Sequence, residues 1–377
     1  MQAAVIVCLD FGDDAYEESV AEMVRLVESA GVARHRQIHG KRSRPDSKFY
    51  AGSGKVEEIR VAADELNAAF VVFNHELSPA QQRNLEKEVQ RRVLDRTEVI
   101  LEIFAQRAQT AEGKVQVELA RLEHLSTRLI RGWSHLERQR GGFGRTGGPG
   151  EKQLELDRRY IAQRVKVLRT KLGQLKKQRQ VQRRARARGD VLSVAIVGYT
   201  NAGKSTLFNA LVHAGAYEAD QLFATLDTTT RRTWIAGAGN ITVSDTVGFI
   251  RELPHKLVAA FRATLEETVH ADLLLHVVDA SSPVRDAQEQ AVNEVLAEIP
   301  AGEAPQLVVM NKIDVVGKGN ELSPRVERDQ YGRISRVFVS ARSGAGMEEL
   351  RSAIAEFAQS RKASEAGAPE PQSLQPH

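Results

Sequence analysis

The sequence predicts an α/β chain of three parts. An N-terminal α/β domain spans 1–112, a long antiparallel helical hairpin with a glycine-rich tip spans 113–189, and a doubly wound α/β domain spans 190–360, ahead of a disordered tail over 361–377. Three observations carry this reading. Short apolar runs of strand length alternate with helical periodicities in the first and third parts, which is the mark of a parallel sheet with helices packed on it. Between them, apolar residues recur at spacings of three and four along two stretches, which are separated by GGFGRTGGPG at 141–150. The chain has 377 residues, more than one domain of roughly 150 residues accounts for.

In the first part, residues 3–9 (AAVIVCL) form a continuous apolar run of strand length. Residues 13–30 carry Val20, Val24 and Val27 at helical spacing and stop at Gly31. A second helix is expected over 55–67, with Val56, Ile59, Ala63 and Leu66 on one face, and a buried strand at 68–73 (AAFVVF). Ser78-Pro79 opens a further helix, serine as the cap and proline at the first helical position.

In the second part, Val115, Leu119, Leu122, Leu125 and Leu129 form one apolar stripe. Beyond the glycine tip, Leu154, Ile161, Val165, Leu168, Leu172 and Leu175 form a narrow seam suited to a partner helix. The second arm is also where the charge lies. The whole chain has 53 Lys and Arg against 49 Asp and Glu, a net of +4. Residues 151–190 hold 14 basic against 4 acidic residues, a net of +10, which leaves −6 for everything else. So local a bias points to a polyanion-binding arm. Arg183, Arg184, Arg186 and Arg188 on the arm are the expected RNA contacts, with Arg145 at the tip to meet phosphate and Phe143 to stack on a base.

In the third part, strands are expected at 191–197, 240–244, 273–278, 306–309 and 337–339, with helices at 204–213, 254–269, 287–299 and 347–358. The composition, 42% hydrophobic and 27% charged, suits a globular core. No apolar run reaches the roughly 18 residues that span a bilayer, the N-terminus lacks the basic region of a secretory signal, and Cys8 alone excludes an internal disulfide. A cytoplasmic protein is the expectation, peripheral at a membrane at most.

The chemistry sits in the third part. Residues 198–205 read GYTNAGKS, fitting G-x-x-x-x-G-K-[ST] between a strand and a helix. In such a phosphate loop the amides of Gly198, Tyr199, Thr200, Asn201, Ala202, Gly203 and the residues through Thr206 wrap the phosphates. Lys204 reaches the β- and γ-phosphates, and the Ser205 hydroxyl ligates Mg²⁺. Asp245, Thr246, Val247 and Gly248 (DTVG) end a strand; the carboxylate suits Mg²⁺ held through water, and the Gly248 amide can sense the γ-phosphate. Asn311, Lys312 and Asp314 of NKID follow another strand. The Asp314 carboxylate can accept both N–H donors on the Watson–Crick edge of guanine, a pair that adenine does not present. Ser340, Ala341 and Arg342 supply amides for the guanine carbonyl. The four motifs, in this order and spacing, imply GTP and GDP binding.

Phe223, Ala224, Thr225, Leu226 and Asp227 (FATLD), followed by Thr228-Thr229-Thr230-Arg231, resemble the first switch of the Obg-HflX superfamily, and DTVGFIR at 245–251 is similar to the second switch of HflX GTPases. Residues 50–59, 73–81 and 93–122 resemble the N-terminal and linking parts of that family. The resemblance implies that Thr225 completes the Mg²⁺ shell, with Thr228, Thr229 and Thr230 as alternatives ranked below it, and that Thr225 acts in catalysis with Lys204 and Gly248. It implies a monomer that binds the large (50S) ribosomal subunit and its rRNA and splits or rescues stalled ribosomes, with its GTPase activity raised by the ribosome. Two other readings stand beside it: a GTP-switched RNA-binding or RNA-remodelling protein that does not split ribosomes, and a protein-signalling GTPase. Thr228 stands where the family places proline, which bears on the shape of the first switch.

One residue type is missing. Small GTPases orient the attacking water with a glutamine after the D-x-x-G glycine; here Phe249 occupies that place. Slow intrinsic hydrolysis is the expectation, with GTP binding driving the action and hydrolysis resetting it. Two other glycine patterns are weaker. GFGRTG at 142–147 has no preceding strand and is discounted as a dinucleotide site. GSGK at 52–55 lacks the upstream glycine and the following hydroxyl residue, which argues against a strong nucleotide site, while the resemblance leaves ATP binding by the N-terminal domain open.

Overall fold

The structure is a computed structural model that describes residues 3–131, 149–186, 191–212, 222–223, 225–251, 266–299, 304–316 and 322–366. The chain forms two compact units, one holding 1–180 with 221–223 and 254–261, the other holding the remainder.

The first unit is built on a four-stranded, wholly parallel sheet in the order β2-β1-β3-β4. Its strands are β1 Ala3–Asp10, β2 Arg34–Lys41, β3 Phe70–Phe73 and β4 Arg92–Asp95. Helices α1 Tyr16–Ser29, α2 Ser53–Leu66, α3 Pro79–Val89 and α4 Arg96–Arg107 make the connections. Val56, Ile59, Leu85 and Val89 of α2 and α3 pack on Val5, Val7, Val71 and Val93. Ala4, Ile6 and Cys8 alternate to the opposite face and are equally buried. Burial on both faces is why β1 reads as an unbroken apolar run rather than an alternating one. Ser78 and Gln81 form a reciprocal capping box at the start of α3, with Pro79 as its first residue, and Asp95 and Glu98 do the same for α4.

Two long helices complete this unit, α5 Ala111–Arg131 and α6 Pro149–Arg186. Val115, Leu119 and Leu122 of α5 meet Val165, Leu168 and Leu172 of α6 in one apolar seam. Ion pairs Arg164–Glu118 and Arg169–Glu123, each at 2.7 Å, flank it. Arg128 of α5 is paired with Asp95, which is fully buried, and so ties the helix to the end of β4. Phe143 and Arg145 at the glycine tip, and Arg188, lie outside the described residues. Arg183, Arg184 and Arg186 fall within the helical span of α6.

The second unit is a seven-stranded sheet in the order β10-β11-β9-β8-β5-β7-β6. Its strands are β5 Leu192–Gly198, β6 Thr229–Ile235, β7 Gly239–Asp245, β8 Leu273–Asp279, β9 Gln306–Asn311, β10 Arg325–Arg328 and β11 Ile334–Phe338. The five central strands run parallel, while β6 and β10 pair antiparallel at the two edges. Described helices are α7 Lys204–Val212, α8 Glu266–Val269, α9 Arg285–Glu298 and α10 Met347–Ala366. A core of Val194, Ile196, Leu207, Phe208, Val243, Leu275, Val309 and Ile354 fills one side of the sheet. The chain leaves β5 for one side of the sheet and returns to the other through β8. This puts the carboxyl end of β5 at a topological switch point, the usual ligand position in open α/β sheets.

Two differences from the sequence reading concern this unit. Helix α10 continues to Ala366, past residue 360, and Arg361 on its extension pairs with Asp272 at 2.7 Å. The alanines and glutamates that look like tail composition are also good helix formers, and a packed helix carries them onward. Of the helix expected over 254–269, the described part is Glu266–Val269.

Candidate nucleotide site

The phosphate loop leaves β5 at Gly198, whose φ of +149° brings its backbone against β8. A Cβ there would lie 2.3 Å from the Val277 carbonyl oxygen, so only glycine fits. Asn201 and Gly203 hold positive φ of 59° and 91° as the loop turns into α7. Lys204 starts α7, is buried, and donates from Nζ to the Tyr199 carbonyl at 2.7 Å. Burial pulls its pKa down to about 8, against the opposing pull of the Asp245 carboxylate.

Three oxygens converge beside Lys204. Asp245 Oδ2 accepts from Ser205 Oγ at 2.7 Å and from Thr225 Oγ1 at 2.8 Å, and the two hydroxyls are 2.9 Å apart. Asp245 Oδ1 is buried with no hydrogen-bond partner. Burial raises the pKa of this carboxyl, and the Ser205 hydroxyl bond opposes the rise. An orphan carboxylate oxygen beside two hydroxyls is a hard-oxygen donor set and fits Mg²⁺, which takes few protein ligands and keeps waters. Thr230, one of several nearby threonines, bonds instead to Ser244 at 2.8 Å.

Thr246 is fully buried and donates to the Ile196 carbonyl at 2.6 Å, which fixes the start of the DTVG turn. Gly248 follows in close quarters: a Cβ there would meet Thr200 Cγ2 at 2.8 Å and Lys204 Nζ at 2.9 Å. The Phe249 side chain is 1% exposed, packed inward, and so cannot reach an attacking water. Its backbone forms a parallel bridge with Tyr199.

The base-recognition motifs are tied to the phosphate loop by Asn311, which is 2% exposed. Its Nδ2 donates to the Ala202 carbonyl at 2.8 Å, and its Oδ1 accepts from the Ala341 amide at 3.0 Å. Lys312 takes a φ of +65° and pairs with Asp279 at 2.7 Å. Asp314 and Arg342 are exposed, while Ser340 is buried, with its hydroxyl accepting from the Ser343 amide at 3.1 Å. The second unit thus brings Gly198–Ser205, Thr225, Asp245–Gly248, Asn311 and Ala341 to one end of its sheet.

Some of the expected residues are placed elsewhere. Phe223 is buried within the first unit, its ring edge-on to Phe104 at 4.7 Å. Leu226 is buried as core, and Ala224 lies outside the described residues. Sequence reasoning missed the Tyr199 hydroxyl, which accepts from the Arg251 amide at 2.8 Å; a variable position inside a glycine-rich motif gives no local sign of such a bond. Among the described residues, no helix is long and apolar enough to cross a membrane.

Three family models match successive parts of the chain. Residues 17–105 match the GTP-binding GTPase N-terminal model, 107–186 the GTP-binding GTPase middle region, and 193–312 the 50S ribosome-binding GTPase model. The GTPase HflX of Escherichia coli K12 is 52% identical over 355 residues, covering 94% of this chain and 82% of that protein. The GTPase HflX of Magnetococcus marinus is 48% identical, covering 90% of this chain and 78% of its own length. Among solved structures, the SsGBP complex with GDP superposes with a TM-score of 0.54 at 25% identity, covering 96% of this chain and 99% of its own.

Proposed function

From the premise that the chain belongs to the HflX family of GTPases, we propose that it binds the large ribosomal subunit and uses GTP to split or rescue stalled ribosomes. That it hydrolyses GTP follows from family and fold together. The observation that carries the ribosomal reading is the match of residues 193–312 to a 50S ribosome-binding GTPase model, in a chain whose residues 151–190 hold a net charge of +10. An arm of that charge can neutralise many phosphates, each releasing counterions from RNA.

In this reading the phosphate loop from Gly198 through Thr206 cradles the β- and γ-phosphates, and Lys204 balances their charge. Burial weakens its hold on the proton, and phosphate oxygens, a better partner than the carbonyl it now meets, favour the ammonium again. Ser205, Thr225 and Asp245 are the residues that would hold Mg²⁺, which would neutralise charge that builds on the phosphate oxygens. Thr225 brings the first switch into this cluster, its hydroxyl meeting Ser205 and Asp245. The Gly248 amide, close to Lys204, would sense the γ-phosphate for the second switch. Asp314 selects guanine, and Asn311 ties its own loop and the Ala341 amide to the phosphate loop. With Phe249 buried, the water must be oriented by another group, so turnover by the isolated protein is slow.

The test is direct. Purified protein with GTP, or with a non-hydrolysable analogue, is mixed with intact ribosomes and run on a sucrose gradient. Conversion to subunits with both nucleotides is the expected result. Intact ribosomes under both conditions would overturn the splitting function. Splitting with GTP but not with the analogue would overturn the claim that binding drives it. Arg183, Arg184, Arg186 and Arg188 changed to glutamine should weaken large-subunit binding and flatten its salt dependence. The slope should shrink by about 0.9 for each phosphate that is no longer neutralised, taking the B-DNA value for duplex RNA.

A further inference from the structure

The phosphate loop and the segment after DTVG are joined at three points. The Thr200 amide donates to the Phe249 carbonyl at 2.7 Å, the Phe249 amide donates to the Gly198 carbonyl at 3.1 Å, and the Arg251 amide donates to the Tyr199 hydroxyl at 2.8 Å. The first two are backbone bonds of the Tyr199–Phe249 bridge and are open to almost any sequence. The third needs a tyrosine. Its ring is 7% exposed, and its own carbonyl accepts from Lys204 Nζ. One residue therefore touches both the phosphate-binding lysine and the second switch.

Gly248 lies one residue before this bridge. The space around it is closed by Thr200 and Lys204, so its position follows from how tightly the bridge is drawn. Because the Phe249 side chain is turned into the core, no side chain from that position can orient the reacting groups. Backbone groups beside the γ-phosphate can share the task, and they orient only as well as they are held.

We propose that Tyr199 is a positioning residue for GTP hydrolysis. Its hydroxyl, by holding the Arg251 amide, fixes the Gly248 amide and the Phe249 backbone relative to the γ-phosphate. This rests on GTP hydrolysis alone and is independent of the ribosomal reading.

The informative variant is Tyr199→Phe in the full chain, which keeps the ring and removes the hydroxyl. We expect kcat for GTP hydrolysis to fall about five- to tenfold, on the order of one positioning hydrogen bond. KM for GTP, the Kd for mant-GDP and the melting midpoint should stay within twofold or about 2 °C. A purely structural tyrosine would behave differently, with affinity and melting point falling along with kcat. That joint loss would overturn the proposal, and so would a kcat unchanged within twofold. Tyr199→Ala, which also removes the buried ring, should raise KM in addition to lowering kcat; a kcat unchanged within twofold in this variant would likewise overturn the proposal.

Discussion

Replacing Asn311 by alanine removes two hydrogen bonds at once, to the Ala202 carbonyl and from the Ala341 amide. Both partners are backbone groups of buried residues, at 2% and 7% exposure. Each missing bond costs about 1 kcal/mol, and a buried backbone group left unpaired costs about 1–3 kcal/mol in total. Two such groups give about 2–6 kcal/mol; water entering the vacated space relieves part of it, so about 2–4 kcal/mol is expected. If nucleotide binding depends on the two loops being held together, mant-GDP affinity falls by about 30- to 700-fold, since each 1.4 kcal/mol is a factor of ten. Whatever part of that cost is already felt without nucleotide lowers the melting point of the free protein instead of the affinity, by roughly 4–16 °C if all of it is. Asn311→Asp sharpens the test. It keeps an acceptor for the Ala341 amide but aims a carboxylate oxygen at the Ala202 carbonyl, and so should be worse than alanine. Fluorescence titration and calorimetry on all three proteins give the comparison. Wild-type affinity and melting in Asn311→Ala, or an aspartate better tolerated than alanine, would refute the reasoning.

The remaining predictions concern charge. Lys204, with its pKa near 8, lies below its ordinary 10.5. The unfolded chain therefore binds the proton more tightly, and this group adds stability to the nucleotide-free protein as pH rises from about 8 to about 10.5. Phosphates favour the charged lysine, so mant-GDP affinity should fall above pH about 8, by at most about tenfold per pH unit; a flat profile from pH 7 to 9.5 would contradict this. Ser205→Ala removes a hydroxyl from the Asp245 cluster and should raise the Mg²⁺ concentration for half-maximal hydrolysis by about tenfold or more. Its GDP affinity measured in EDTA should stay within threefold, and an unshifted Mg²⁺ requirement would remove Ser205 from the metal site.

The elements that were legible in the sequence are those whose neighbours lie on both sides. β1, β3, β5 and β8 are covered on both faces and show it as apolar runs. β2 (RHRQIHGK), β6 (TTRRTWI) and β10 (RVER) are edge strands with mostly polar side chains, and their pairing depends on backbone bonds that leave no hydrophobic signature. The same division runs through the site. The phosphate loop, DTVG and NKID could be read because each motif is local. The joins between them could not: Asn311 meets Ala202 across 109 residues and Tyr199 meets Arg251 across 52. Phe223 shows the converse, since a residue inside a recognisable switch motif packs on Phe104 instead.

Helix α6 is a rod of 38 residues, about 57 Å long at 1.5 Å per residue. Its apolar seam against α5 reaches only to Leu172 among the described core residues. A rod held near one part of its length is a lever. The hold lies near the middle of the helix, with each end roughly 20–25 Å from it, so a turn of about 5° would carry an end through about 2 Å. The length of the arm therefore sets the scale of any motion at its ends, since displacement grows in proportion to distance from the hold.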